Sequence, residues 1–93
     1  MNVVILSGKI IEKKDIQFVY NRNKKSKNIT RIEIKIETED DSIIEAYGYN
    51  EIADMIYSGE NEYILIEGRL NSNMQIEIGK CEFEKQNPQK LRP

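Results

Sequence analysis

Ninety-three residues, 39% of them hydrophobic and 32% charged, suit one small domain with a single core and leave no room for a second. The formal net charge is only −2, and the chain carries one cysteine, Cys81, and no histidine. An internal disulfide is thereby excluded, and the usual metal-ligating and acid/base side chains are missing, which argues against an enzyme, a bound metal or a cofactor.

Cys81 is expected in the core as a small apolar residue. No apolar run approaches the roughly 18 residues of a membrane span, and the N-terminus lacks the basic, apolar, small-residue order of a signal peptide. A cytoplasmic or organellar location without a membrane partner is expected. Charge is unevenly spread: residues 1–35 hold nine Lys or Arg against three acids, and residues 36–93 hold five against thirteen. Such asymmetry fits a face that meets a polyanion, and it fits equally the ordinary solvation of exposed strands.

In chain order, Asn2 to Ile11 (NVVILSGKII) is a β-branched run interrupted by Gly8, the mark of a bend or bulge where a strand turns a corner. After four polar residues, Ile16 to Tyr20 resumes extended structure, with Phe18 and Tyr20 of one parity and so on one face. Asn21 to Asn28 is a polar loop with four cations, Arg22, Lys24, Lys25 and Lys27, and no acid. Ile29 to Thr38 then alternates. Ile32, Ile34 and Ile36 point inward, and Arg31, Glu33, Lys35 and Glu37 outward.

The short acidic turn 39–42 makes an antiparallel hairpin with Ile43 to Tyr49, in which Ile44, Ala46 and Gly48 face in and Glu45, Tyr47 and Tyr49 face out. A two-turn helix follows. Asn50 is expected as its N-cap, Ile52, Met55 and Ile56 as its apolar stripe, and Gly59 as a left-handed residue just past its end. A helix that short must lie on a support, and the base of a small barrel provides one.

Tyr63 to Leu70 buries Ile64, Ile66 and Leu70, with a bend at Gly68, and a tight turn at 71–73 returns the chain as Met74 to Glu84. Met74, Ile76 and Ile78 share one parity, whereas Cys81 and Phe83 share the other. A bulge at Gly79 restores the apolar set to the inner face. Lys85 to Pro93, with two prolines and no apolar period, is expected as a mobile tail. The order of elements predicts an all-β fold over residues 1–84, a five-stranded OB barrel with one short helix between strands three and four.

The same residues resemble the bacterial single-stranded DNA-binding protein family across roughly residues 2–84. NVVILSGKI is similar to that family's N-terminal pattern, and Asp15-Ile16-Gln17-Phe18 to its Glu-Val-Arg-Tyr segment. Tyr47-Gly48 matches its Phe-Gly, Ala53-Asp54 with Gly59 the residues around its helix, and Ile66-Glu67-Gly68-Arg69-Leu70 its signature.

The resemblance implies sequence-independent binding of single-stranded DNA, or RNA, by base stacking and phosphate contacts, with roles in DNA replication and repair near the nucleoid. It implies a homo-oligomer, dimer or tetramer, assembled through the first strand, and replication or repair proteins as further partners. Tyr47 occupies the family's stacking position, with Phe18 and Tyr20 as further stackers. Arg22, Lys24, Lys25, Lys27, Arg31 and Lys35, with Lys9 and Arg69, are the candidate phosphate contacts. The two hairpin turns are short beside the family's wrapping arms, and the tail lacks its acidic tip, which implies weak, steeply salt-dependent binding over a short site. The other reading is an OB-fold protein-interaction module, like the primosomal accessory proteins that share this fold, with little or no nucleic-acid binding.

Overall fold

A computed structural model describes residues 2–19 and 29–84. Tyr20, the expected basic loop with Arg22, Lys24, Lys25 and Lys27, and the expected tail from residue 85 lie outside these residues. Strands and a helix follow in the order β1 (Val4–Lys13), β2 (Gln17–Val19), β3 (Ile29–Glu37), β4 (Ile43–Tyr49), α1 (Glu51–Ser58), β5 (Tyr63–Leu70) and β6 (Ile76–Glu84).

Five strands close on themselves in the order β1-β5-β6-β4-β3, with β3 returning to β1. The helix falls between the third and fourth ring strands in chain order, as in the OB barrel. The sixth strand, β2, is a three-residue addition paired along β3 outside the ring. All ring pairings are antiparallel except β4 with β6, which run parallel through Ala46↔Ile76 and Tyr47↔Glu77.

Period-two alternation decides the interior. Ile32, Ile34 and Ile36 of β3, Ala46 of β4, Ile64 and Ile66 of β5, and Ile76, Ile78 and Cys81 of β6 form the buried cluster, closed at one end by Ala53 and Ile56 of α1. Burial pushes the Cys81 thiol above its ordinary pKa, so it stays protonated as a small core residue.

Cys81 reaches the core through the expected bulge. Glu67 pairs with Lys80 and Gly68 with Ile78, so Gly79 has no partner on β5 and the inward parity moves by one residue. The irregularity in β1 lies not at Gly8 but at Ile11, which is skipped between Ile10↔Ile36 and Glu12↔Lys35. Gly8 instead marks a close approach, where a Cβ would collide with the carbonyl oxygen of Glu37.

Both caps of the helix differ from expectation. Asn50 makes no side-chain cap; its Oδ1 accepts a hydrogen bond from the Thr30 N–H at 3.3 Å, tying the helix entrance to β3 instead. Gly59 is extended, at φ −70° and ψ 135°, not left-handed. It is glycine because the chain passes over Phe83, whose Cζ lies 2.6 Å from where a Cβ would stand. Within the helix Ala53 takes the buried place expected for Met55, and Met55 and Tyr57 are exposed.

Met74 is also displaced from the expected inner face. It sits at φ 63° in a turn stapled by Asn71, whose Oδ1 accepts from the N–H groups of Asn73 (2.8 Å) and Gln75 (2.9 Å), and β6 starts only at Ile76. No helix among the described residues is long and apolar enough to cross a membrane.

The two glycines make a discriminating pair. Gly59→Ala forces its methyl against Phe83 and the Met55 carbonyl oxygen and is expected to cost about 1–3 kcal/mol. Gly79→Ala meets nothing closer than 3.7 Å and needs no positive φ, so urea unfolding is expected to place it within about 0.5 kcal/mol of the parent.

Candidate nucleic-acid interface

Strand register sets one row of side chains across the outer face. Arg69 of β5 is partnered with Glu77 of β6, Glu77 with Tyr47 of β4, and Tyr47 with Glu33 of β3. Lys14, just past β1, continues the row: its backbone N–H donates to the Glu33 carbonyl at 3.0 Å and its Nζ to Glu33 Oε2 at 3.1 Å. The neighbouring row runs Gln17 of β2, Arg31 of β3 and Tyr49 of β4.

Tyr47 therefore points outward, yet it is only 7% exposed, so the expected open stacking face is corrected. Arg31 is its diagonal cross-strand neighbour, and the guanidinium carbon lies 4.6 Å from the centre of the phenol ring. Tyr49 abuts the ring edge-on, with centroids 5.8 Å apart and planes at 83°. The phenol oxygen accepts from Asn71 Nδ2 at 3.2 Å and donates to Glu77 Oε1 at 3.4 Å. Tyr47 is thus a floor, with Arg31 above it and a polar network at its tip.

No family model matches the sequence, and no curated protein matches it. A deletion variant of the single-stranded DNA binding protein from Thermus aquaticus superposes with a TM-score of 0.70 at 19% identity, over 94% of this chain and 42% of that one. The SSB domain of a Synechococcus protein superposes with a TM-score of 0.59, also at 19% identity, over 88% of this chain and 94% of that one. The chain has the SSB-type OB fold. It spans less than half the length of the Thermus chain.

On this SSB-type barrel the remaining candidates separate. Arg31 Nη1 is 2.9 Å from Glu33 Oε1, and Lys35 Nζ is 3.7 Å from Glu12 Oε2. Lys9, at the junction of β1 with β3 and β5, is 3.9 Å from Glu62 and stands apart from the Tyr47 row. Arg69 is exposed at the row's far end and makes no ion pair among the described residues. Phe18 is 73% exposed, but it pairs with Thr30, of opposite parity to Arg31, so it projects from the other side of the sheet and does not join Tyr47.

Three residues with a place in this face were not singled out from sequence. Tyr49, 37% exposed, is the accessible aromatic beside Arg31; alternation already turned it outward. Glu33 and Lys14 also belong here, and the signal for Glu33 was its position opposite Tyr47 in the hairpin.

Glu33 titrates below the ordinary carboxylate range, chiefly because Lys14 donates a hydrogen bond to it and further because Arg31 is adjacent. Lys14 is correspondingly raised by the same bond. Asp40 is lowered too, by hydrogen bonds from Thr38 and Ser42 in the β3–β4 turn. A depressed carboxylate stabilises the fold above its unfolded-state pKa, and that contribution disappears as pH falls through the folded value. Urea titrations are accordingly expected to show constant stability around neutrality and a fall through the acid range. Glu33→Gln is expected to flatten that fall.

Proposed function

We propose that this domain binds single-stranded DNA, or RNA, without sequence preference, through the outer face of β3, β4 and β6. The observation that supports this best is the guanidinium of Arg31 stacked on Tyr47 with Tyr49 at its edge, on a barrel whose solved counterparts include a single-stranded DNA binding protein. A planar cation over an aromatic ring, with a second tyrosine exposed beside it, presents surfaces on which bases of any identity stack. Lys14, Lys35 and Arg69 flank that centre for phosphate contact. The segment holding Tyr20, Arg22, Lys24, Lys25 and Lys27 joins Val19 to Ile29, which are register partners next to Arg31, and supplies the remaining positive charge. The role is binding, not chemistry, and on this reading it serves DNA replication or repair in the cytoplasm or an organelle.

Lys14, Lys35 and the central Arg31 already face carboxylates, so binding is weak, and because it rests on phosphate contacts it falls with salt. Fluorescence anisotropy with a labelled oligo-dT is expected to show binding at about 50 mM salt that falls roughly tenfold by about 200 mM. Tyr49→Ala is expected to remove about 1–3 kcal/mol of it. Absence of binding even at the lower salt overturns this reading in favour of a protein-interaction module.

Self-association belongs to the same proposal. Val4 to Gly8 of β1 have a partner strand on one edge alone among the described residues. Outward-facing Ile5, 67% exposed, lies beside Leu65 along a furrow of about 270 Å³, and Val3, two residues before it, is also exposed. A second copy pairing β1 with β1 covers both the free edge and the apolar stripe. Sedimentation at tens of micromolar is expected to give a dimer or tetramer that Ile5→Asp converts to monomer; a monomeric parent protein sinks the idea.

A further inference from the structure

Each of the two carboxylate oxygens of Glu33 is held by a different cation. Oε2 accepts from Lys14 Nζ at 3.1 Å, and Oε1 lies 2.9 Å from Arg31 Nη1. A guanidinium and an ammonium converging on two oxygens of one anion is the arrangement those groups adopt around a phosphate. The site is assembled on rigid elements. Glu33 lies in the middle of β3, Arg31 is fixed by its stack on Tyr47, and Lys14 is fixed by a backbone hydrogen bond to the same glutamate.

The closed arrangement is also incompletely satisfied. Arg31 Nε is buried and has no hydrogen-bond partner among the described residues. That N–H is a donor which the internal carboxylate, engaged through Nη1, leaves unused.

We infer that Glu33 is an internal phosphate surrogate, a competitor that occupies Arg31 and Lys14 and sets the affinity of this face for polyanions. This rests on the binding role proposed above. A nucleic-acid strand docking over Tyr47 exchanges its phosphate oxygens for the Glu33 carboxylate at both cations. The glutamate, left without its partners, then opposes the bound state. Removing its charge while keeping its shape frees the two cations without disturbing the Arg31 stack. Glu33 is thus an affinity-determining residue that holds the interface in a self-neutralised state.

The test measures oligo-dT and inorganic polyphosphate binding to the parent protein, Glu33→Gln, Glu33→Asp and Glu60→Gln. Polyphosphate carries the charge without any base, and Glu60, exposed in the loop after α1, controls for net charge alone. Glu33→Gln is expected to bind both ligands about three- to tenfold more tightly at low salt, the range set by losing two partly exposed ion pairs. Its salt slope is expected to steepen by about 0.7 per additional phosphate neutralised. Glu33→Asp, too short to bridge both cations, is expected to gain part of this at unchanged net charge.

If no variant binds oligo-dT but Glu33→Gln gains on polyphosphate, the nucleic-acid reading falls and the assignment of Glu33 stands. If neither Glu33 variant exceeds Glu60→Gln on either ligand, the assignment is overturned. Glu33→Asp keeps that outcome decidable should Glu33→Gln fail to fold.

Discussion

Closure of the ring by the parallel contact of β4 with β6 is the constraint on which the other features depend. It is the shortest pairing in the barrel, with register partners only at Ala46↔Ile76 and Tyr47↔Glu77. The first pair is internal and joins the isoleucine layer of β3 and β4 to that of β5 and β6. The second pair is external and extends the row of side chains from β3 across to β5. One step of strand register thus serves the core on one face and the candidate interface on the other, because successive residues of a strand point to opposite sides. The Gly79 bulge follows from the same requirement. Without the extra residue, β6 could not place Ile76 and Ile78 inside at one end and Cys81 inside at the other.

The parts of this architecture that were readable in the sequence are those governed by periodicity alone. The alternation of β3 and β4, the bulge at Gly79 and the position of the helix relative to the ring all come from counting apolar residues at period 2 or 3.6. The features that differed depend on tertiary neighbours. Gly59 carries the local signature of a left-handed cap, but its actual reason is the ring of Phe83, 24 residues away in the chain. Asn50 suits an N-cap by composition, yet the backbone of Thr30 claims its side chain. Met55 and Ala53 compete for one buried position, and the smaller residue wins where α1 approaches the barrel closely.

The candidate site was readable to the same depth. Parity placed Tyr47, Arg31 and Lys35 on the outer face, and the register confirms that placement. Parity says nothing about what lies above a side chain, and the stack of Arg31 on Tyr47 is a diagonal contact between strands. Charge counting misled in a related way. The surplus of cations in residues 1–35 is real, but three of them on the sheet meet Glu33 or Glu12, acids of the same segment that the register brings alongside. Most of the excess of positive charge, from Arg22, Lys24, Lys25 and Lys27, therefore belongs to sequence outside the described residues. A linear tally cannot distinguish a basic face from a face of alternating ion pairs.

The short turns limit how far such a face extends. The β3–β4 connection spans Thr38 to Ser42, closed by a Thr38 N–H to Ser42 carbonyl bond of 2.9 Å, and the β5–β6 connection is stapled by Asn71. Neither projects an arm beyond the barrel, so among the described residues a strand bound here meets the sheet itself. From Arg69 across β6 and β4 to Glu33 is three strand intervals, and at about 4.8 Å each the row is roughly 15 Å wide. A surface of that width accommodates only the low end of the 4–16 nucleotides typical of one OB domain. With so few contacts available, the balance between the Arg31–Tyr47 stack and the carboxylate of Glu33 weighs more heavily here than it would on a barrel with wrapping arms.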